Sequence, residues 1–192
     1  TPPGTAWLKI PLPWVLLAKN GICYNPGYQG GINYAVAIPI ESRQDRIDQG
    51  YLNSCLQLPS TLDPRIETLA LLLFSECRST SEKIAAVQSY FRRNYEYSLH
   101  FSIPKDADAL NHFLLEMRTG YCEYFATAAA VLLRLGGVPT RYVTGFFVNE
   151  QEPFKELWVA RSSDAHAWVE AWDQQNRQWI LVEATIPSVM DA

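Results

Sequence analysis

The spacing of apolar residues predicts three amphipathic helices between residues 63 and 117. Asp63 and Pro64 provide an N-cap and a first-turn proline for the first helix. Ser79-Thr80-Ser81-Glu82 is a capping box, which begins the second helix. The third helix is predicted over Asp108–Met117 from apolar residues at helical spacing. The inward-facing residues expected on these helices are Ile66, Leu69, Leu73, Ile84, Val87, Phe91, Leu110, Phe113, Leu114 and Met117.

A different pattern begins after Gly120. Residues 122–135 are apolar nearly all round, which predicts a buried helix that Gly136 and Gly137 terminate. Alternating apolar and polar positions then predict several strands. The connections between these strands are short, which favours an antiparallel sheet. These strands are Arg141–Val148, Leu157–Arg161, Ala165–Trp172 and Gln178–Glu183, and a shorter one spans Tyr95–Phe101. Helices followed by an antiparallel sheet give the α+β fold class.

Residues 1–50 are rich in proline and glycine and show no long helical period. Alternation over Asn33–Ile40 predicts a strand, and Pro39 favours a sheet edge for it. We therefore expect a β-rich N-terminal extension over residues 1–50 and a second domain over residues 51–192. The chain begins with Thr1 rather than methionine, so we expect it to be an excised piece of a longer protein.

Composition excludes several classes of partner. The 192 residues are 48% hydrophobic with a net charge of −4, and no run of Lys or Arg interrupts them, so we expect no nucleic-acid partner. The longest apolar stretches, Pro11–Ala18 and Leu69–Phe74, fall short of the roughly 20 residues that span a bilayer. The four cysteines show no zinc spacing and are too few for a disulfide scaffold.

Cys122 is the candidate nucleophile. It stands at the start of the buried helix, where free backbone amides and the helix dipole favour a thiolate and can stabilise an oxyanion. A cysteine near its ordinary pKa of about 8.5 is mostly un-ionised at neutral pH, so a catalytic thiol needs such a setting. The alternative interpretation is a small buried hydrophobic residue, which most unpaired cysteines are.

His166 and Glu183 are the candidate partners of this thiol. His166 stands at the entrance to a predicted strand and would act as the general base; the alternative is a structural histidine bonded to a carbonyl. Glu183 ends the neighbouring apolar strand and would orient the imidazole. Asp164 and Asp173 are weaker candidates for that role. Asp164 is too close to His166 in sequence for a suitable geometry, and Asp173 is expected to be a solvated turn residue. The remaining histidines, His100 and His112, are expected to be structural or exposed.

Four blocks in this order resemble the transglutaminase-like superfamily, and most closely its bacterial membrane-anchored branch. They are Gly120–Ala126, Leu133–Arg141, His166–Glu170 and Trp179–Thr185, and the resemblance covers about residues 50–187.

The resemblance implies a papain-like core with a cysteine on a helix and a histidine and an acid on an antiparallel sheet. It assigns the catalytic triad to Cys122, His166 and Glu183. The family most often has Asp-Pro-Thr where this chain has Glu183-Ala184-Thr185, so the carboxylate of this chain reaches one methylene further. Arg134 and Arg141 also match the family and are expected to form structural ion pairs.

The resemblance also bears on cofactors and location. No metal or other cofactor is expected, since the chain has no Asp-rich calcium loop. The implied location is the outer, periplasmic or cell-surface, side of a bacterial membrane, with anchoring only through segments outside this chain. In that setting a disulfide between Cys55 and Cys77 stays open as an alternative to free thiols.

The predicted function is cysteine-dependent acyl transfer on peptide or glutamine carboxamide groups through a thioester intermediate. Hydrolysis is the default outcome and transamidation the other, because water competes with amines unless it is excluded. The substrate is expected to be a protein or a peptide. Two alternatives belong to other classes: a catalytically inactive transglutaminase fold that binds peptides or cell wall, and a metal site built from the three triad residues.

Overall fold

The computed structural model describes residues 7–9, 16–17, 23–24, 35–37, 47–147, 150–152, 157–159 and 161–186. The chain divides into two compact units, Thr1–Arg46 and Ile47–Ala192. The described strands of the first unit are β1 (Trp7–Lys9), β2 (Leu16–Leu17), β3 (Cys23–Tyr24) and β4 (Ala35–Ala37). They form two antiparallel pairs, β1 with β4 and β2 with β3. The predicted strand over Asn33–Ile40 is described only at Ala35–Ala37, and the proposed extension over residues 1–50 stays a prediction.

The second unit contains five α-helices among the described residues. They are α1 (Gln49–Ser54), α2 (Pro64–Phe74), α3 (Thr80–Asn94), α4 (Ala109–His112) and α5 (Cys122–Leu135). Helices α2 and α3 begin where their capping residues predict. The Asp63 side chain accepts a hydrogen bond from the Arg65 amide, and Ser79 and Glu82 form both hydrogen bonds of the capping box. Gly137 follows α5 with a φ of 75°, a left-handed conformation that glycine adopts without steric cost. None of the helices in the described ranges is long and apolar enough to cross a membrane.

The third predicted helix is correct in position but wrong in form. Only Ala109–His112 is α-helical, and Phe113–Met117 forms a π-helical turn in which the Arg118 amide donates to the Phe113 carbonyl at 3.1 Å. Arg118 then takes a left-handed conformation with a φ of 55°. The consecutive residues Phe113 and Leu114 are both buried, so this turn contributes two neighbouring side chains to the core.

The predicted strand over Tyr95–Phe101 is much shorter than expected. Only β5 (Glu96–Tyr97) is a strand, and it pairs in parallel with β6 (Thr119–Gly120). The Ser98 hydroxyl ends it, because it accepts a hydrogen bond from the His100 amide and donates one to the His100 carbonyl. The apolar alternation in the sequence thus continues to Phe101, although the strand itself ends at Tyr97.

Besides the pair of β5 and β6, the described residues of the second unit form a three-stranded antiparallel sheet and a hairpin. The sheet has the order β11 (Gln178–Val182), β10 (Ala165–Asp173), β7 (Thr140–Phe146), and the hairpin pairs β8 (Glu150–Glu152) with β9 (Leu157–Val159). The strand predicted over Leu157–Arg161 therefore pairs with β8 in this hairpin rather than with the strand of His166. A 3₁₀ turn, Ser162–Asp164, leads into β10.

The core lies between α5 and the sheet. Alternate residues of β10, namely Ala167, Val169 and Ala171, are at most 1% exposed, and α5 packs against this strand. The apolar sequence of α5 is explained by its position, since helices α2 and α3 pack on it as well. The largest buried side chains in the resulting core are Phe91, Phe113 and Phe125, whose rings contact one another at centroid distances between 5.2 and 6.4 Å.

Candidate active site

Cys122 is the first residue of α5, as the sequence predicts, and its thiol is partly exposed. The preceding Tyr121 is extended and acts as the N-cap, and its ring stacks on Phe101 at 5.7 Å between centroids. Within the described residues the amides of Cys122 and Glu123 have no hydrogen-bond acceptor. Two unpaired amides therefore lie in the first turn of the helix that Cys122 begins, at the positive end of its dipole, where they can donate to an oxyanion.

Gly120 permits the approach of the chain to this position. A Cβ atom at Gly120 would lie 3.0 Å from the Phe113 ring and 3.1 Å from the Cβ of Tyr124. Both neighbours are packed in the protein interior or against it, so they have little room to move. Glycine is thus required where the backbone passes between the core and the first turn of α5.

The Tyr142 side chain of β7 lies near Glu123 and Cys122 at the start of α5. Burial raises the pKa of the Tyr142 phenol, and the nearby Glu123 and Cys122 side chains raise it further. Tyr142 lies opposite Val169 in the pairing of β7 with β10, three residues along β10 from His166. The beginning of α5 and this part of the sheet are therefore near each other.

His166 is the second residue of β10 and stands opposite Gly145 of β7. Its ring has two aromatic neighbours, Phe147 and Trp168, each with a centroid 6.3 Å away. A Cβ atom at Gly145 would lie 2.7 Å from Cη2 of Trp168, so the indole occupies the space that a side chain at residue 145 would need. The imidazole is thereby set in an aromatic environment that depends on a glycine in the neighbouring strand.

Glu183 follows the last residue of β11 and is bonded to His166. The distance between His166 Nε2 and Glu183 Oε2 is 2.6 Å. The other carboxylate oxygen accepts a hydrogen bond from the Thr185 amide at 2.8 Å, and the Gln88 side chain of α3 donates to the Glu183 carbonyl at 2.8 Å. Both the backbone and the carboxylate of Glu183 are thus held in place by other parts of the chain.

This hydrogen bond fixes the roles of the two imidazole nitrogens. An ionised carboxylate only accepts hydrogen bonds, so Nε2 carries a proton and donates it, and Nδ1 is the nitrogen left to exchange a proton. In the described part of the chain no hydrogen bond joins the Cys122 sulfur to the imidazole. The Glu183 side chain is 42% exposed, so solvent screens the charge interaction and the pair acts through orientation more than through stabilisation.

The other acids that the sequence offered are engaged elsewhere. The Asp164 carboxylate accepts a hydrogen bond from the Arg161 amide, within the 3₁₀ turn. Asp173 is buried, which corrects the expectation of a solvated turn residue. Its two oxygens accept from the Gln175 amide and the Asn176 side chain, so it shapes the turn between β10 and β11 from inside. Of the remaining histidines, His100 is exposed and His112 is partly buried at the end of α4.

One of the two expected arginine ion pairs is present. Arg141 pairs with Glu170 across β7 and β10 and lies over the Trp179 ring at 4.0 Å. Arg134 forms no ion pair among the described residues; its guanidinium donates to the carbonyls of Gln57 and Thr140. Burial lowers the pKa of the Arg134 guanidinium. The backbone carbonyls of Gln57 and Thr140 thus bind the Arg134 guanidinium, where an acidic side chain was expected.

Cys55 and Cys77 are free thiols in the structure, Cys55 buried and Cys77 partly exposed. Cys23 lies outside the residues whose side chains the structure describes. In the described ranges no group of three or more metal-ligating side chains is close enough to hold a metal ion.

Three residues of the site were not found from the sequence: Gln88, Thr185 and Tyr142. Gln88 lies on α3, 95 positions before Glu183, and nothing in the sequence pattern of α3 indicates that its side chain binds the Glu183 carbonyl. Thr185 acts through its backbone amide, which any residue but proline would supply. The Thr185 contact has a local signal in retrospect, since a carboxylate often bonds the amide two residues further on.

Comparison with known proteins identifies the family. The transglutaminase-like superfamily matches residues 68–184. The chain is 33% identical over 148 residues to the protein-glutamine gamma-glutamyltransferase of Pseudomonas aeruginosa, covering 77% of this chain and 22% of that protein. It is 32% identical over 157 residues to the uncharacterized protein YebA of Bacillus subtilis, covering 76% of this chain and 21% of that protein. The chain thus spans about a fifth of the length of these curated relatives.

A solved structure supports the fold. The periplasmic domain of TgpA from Pseudomonas aeruginosa, in a crystal structure with ethylmercury bound, superimposes with a TM-score of 0.78. The sequences are 27% identical, and the match covers 96% of this chain and 66% of that one. These matches confirm the fold that the four sequence blocks predicted, with helices and an antiparallel sheet. The chain therefore belongs to the transglutaminase-like superfamily.

Proposed function

We propose that this protein is a cysteine-dependent acyltransferase or amide hydrolase that acts on peptide or glutamine carboxamide groups through a thioester. The observation that carries the proposal is the 2.6 Å hydrogen bond between His166 Nε2 and Glu183 Oε2, in a fold whose buried helix begins at Cys122. Orientation of an imidazole by an acid is what a base that serves a thiol requires. The gamma-glutamyltransferase name of the Pseudomonas aeruginosa relative agrees with this chemistry.

In the proposed first half-reaction the Cys122 thiolate attacks the carboxamide carbon. The carbonyl oxygen becomes an oxyanion, which the free amides at the start of α5 stabilise. The intermediate collapses as the C–N bond breaks, and His166 gives its Nδ1 proton to the departing ammonia or amine. A thioester to Cys122 is left, and Glu183 keeps Nε2 protonated throughout.

In the second half-reaction an amine or a water molecule attacks the thioester carbon. His166 takes a proton from the attacking group at Nδ1, and the C–S bond breaks to return the Cys122 thiolate. With an amine the products are a new amide and ammonia; with water they are an acid and ammonia or an amine. Both outcomes share the first half-reaction, and access of water to the thioester decides between them.

We further propose that the domain works on the outer side of a bacterial membrane. The relative with the matching structure is a periplasmic domain. Anchoring would come through segments of a longer protein that lie outside these 192 residues. Protein or peptide substrates in that compartment are consistent with the open setting of Cys122, whose thiol is partly exposed.

Selective alkylation tests the activated thiol. Iodoacetamide at neutral pH, followed by peptide mass spectrometry, is expected to label Cys122 at least tenfold faster than Cys55, Cys77 or Cys23, because a thiolate reacts and a thiol does not. The His166→Ala variant should lose this advantage, and the His100→Ala variant, which alters an exposed histidine, should keep it. Equal labelling rates for all cysteines in the wild type would contradict the proposal.

Turnover distinguishes the two outcomes and the inactive alternative. A glutamine peptide is offered together with a fluorescent primary amine, and both amine incorporation and ammonia release are measured. Incorporation identifies a transamidase, and ammonia release without incorporation identifies a hydrolase. Peptide cleavage is followed by mass spectrometry in the same samples. If the wild type exceeds Cys122→Ala in neither ammonia release, amine incorporation nor peptide cleavage, the result supports a binding module with a transglutaminase fold.

A further inference from the structure

A groove runs along one side of α5, beginning at Glu123, the residue that follows Cys122 in the chain. It consists of two adjoining cavities of about 390 Å³ and 380 Å³, both of which have Pro59 and Thr127 in their walls. Glu123 and Tyr124 line the first cavity, and Tyr142 lines the second. Hereafter these two cavities are called the α5 groove. The groove is separate from the hydrogen-bonded pair of His166 and Glu183, neither of which lines it.

The floor of the groove is a single stripe of α5. Glu123, Thr127, Ala130 and Arg134 line the cavities, and their spacing of three or four residues places them on one face of the helix. Eleven steps of 1.5 Å along the helix, from Glu123 to Arg134, give the stripe a length of about 16 Å. An extended chain advances about 3.3 Å per residue, so the groove accommodates about five residues of extended polypeptide.

The groove has an acidic end and a basic end, and the walls between them are uncharged. Asp108 and Glu123 both line the first cavity, and neither carboxylate has an ion-pair partner among the described residues. Asp108 accepts hydrogen bonds from two neutral donors, the Asn111 amide and the Thr61 hydroxyl. At the opposite end the Arg134 guanidinium donates to backbone carbonyls, which are neutral, so it keeps its positive charge. A bound chain therefore meets negative charge at the end of the groove that begins one residue after Cys122, and positive charge at the other end.

From this arrangement we infer that the α5 groove binds the acyl-donor segment of the substrate as an extended polypeptide with a basic residue beside the residue that reacts. The inference rests on the proposed function, because it assigns the donor to the cysteine of that mechanism. Uncharged walls match a chain with uncharged side chains along most of its length. The carboxylates of Asp108 and Glu123 match a cation near the reacting carbonyl, and this charge complementarity selects among substrates.

Binding to an inactive variant tests the groove without any need for turnover. The Cys122→Ala chain is titrated with two fluorescent eight-residue peptides, each with one central glutamine flanked either by two arginines or by two glutamates. Arginine is used because its guanidinium does not act as an acyl acceptor. We expect the arginine peptide to bind at least tenfold more tightly. Equal affinities, or tighter binding of the glutamate peptide, would overturn the inferred preference.

Two substitutions in the groove then locate the site. Thr127 is exposed and lines both cavities, so T127W should block the groove where the two cavities adjoin. We expect it to weaken binding of the arginine peptide at least tenfold. T68W, on the exposed side of α2, is the matched control and should leave the affinity within twofold. Glu123→Lys should reduce the preference for arginine over glutamate at least tenfold, whereas Glu76→Lys at an exposed turn should leave it unchanged. Unaltered binding in T127W would show that peptides bind elsewhere.

Kinetics in the cysteine-containing chain separate this inference from the proposed function. T127W should raise KM for the eight-residue peptide at least tenfold and leave alkylation of Cys122 by iodoacetamide within twofold of the wild type. If the wild type shows no turnover but the binding pattern holds, the proposed function fails and the groove stands. If turnover is normal and T127W has no effect, the groove fails and the proposed function stands.

Discussion

The carboxylate of Glu183 lies 2.6 Å from the Nε2 atom of His166, although His166 belongs to β10, Glu183 follows β11, and the two residues are 17 positions apart. Pairing of β10 with β11 sets Val169 opposite Val182, and so brings the end of one strand toward the beginning of the other. The Gln88 side chain and the Thr185 amide fix Glu183 from two further directions. The relationship is thus a property of the sheet and its neighbours, and it gives the carboxylate a fixed distance to the imidazole.

Removal of the charge at Glu183 should slow the reaction without unfolding the protein. We expect Glu183→Gln to lower kcat by about 10²-fold or more with KM nearly unchanged, because the imidazole loses the group that fixes its tautomer. Glu183→Asp should lower kcat by about tenfold, since Gln88 holds the backbone and the shorter side chain cannot restore the 2.6 Å contact. Steady-state kinetics over a pH series measure both effects. A Glu183→Gln variant with wild-type kcat and an unchanged pH profile would contradict the positioning role.

Substitution of Gly145 should disturb His166 through the Trp168 ring. In Gly145→Ala the new Cβ would lie 2.7 Å from Cη2 of Trp168, so the indole must shift next to the imidazole. We expect kcat to fall by about tenfold or more and the free energy of unfolding to fall by about 1–3 kcal/mol. Gly50→Ala is the control, since only the flexible Asp48 carboxylate approaches that Cβ. Because Gly50 lies in α1, Gly50→Ala should leave kcat unchanged. Full activity in Gly145→Ala would show that the Trp168 indole can move without disturbing His166.

Arg134 should stabilise the junction between α5 and β7. Its guanidinium donates to the carbonyls of Thr140 and Gln57 at 2.8 Å each, and Thr140 is fully buried. Arg134→Met keeps the apolar length of the side chain but leaves these carbonyls without a donor, so we expect a loss of about 2 kcal/mol in the free energy of unfolding. Urea denaturation measures the loss. Arg134→Lys should recover only part of it, because an ammonium cannot match the fork of a guanidinium.

The capping box of α3 should make stability depend on pH in the acid range. Hydrogen bonds from the Arg78 and Ser79 amides lower the pKa of the Glu82 carboxyl from its ordinary 4.5. A lowered pKa means that the folded state favours the ionised form, so this stabilisation is present above pH 4.5 and is lost as the pH falls through the lowered pKa. Glu82→Gln should therefore show a weaker loss of stability below pH 4.5 than the wild type. Parallel urea midpoints for the two proteins over this range would contradict the assignment.

Local sequence signals predicted the elements that depend on neighbouring residues. The bounds of α5 and the capping box of α3 follow from a glycine pair and from Ser79 with Glu82, whose hydrogen bonds form within one turn. The wrong expectations share another cause. Asp173 was expected to be solvated, and the third predicted helix was expected to be α-helical throughout, although burial and backbone form depend on residues that pack from elsewhere in the chain.

By itself, the sequence determined the family, the α+β class and the placement of Cys122 at a helix start, because these follow from motifs and from periodicity over a few turns. It also marked His166 and Glu183 as candidates. Only the tertiary structure decided that Glu183 meets Nε2 of His166, that Gln88 and Thr185 hold it, and that α5 is flanked by a groove. The physical reason is that hydrogen bonds and cavities depend on distances between side chains, which the chain acquires only when its helices and strands pack together.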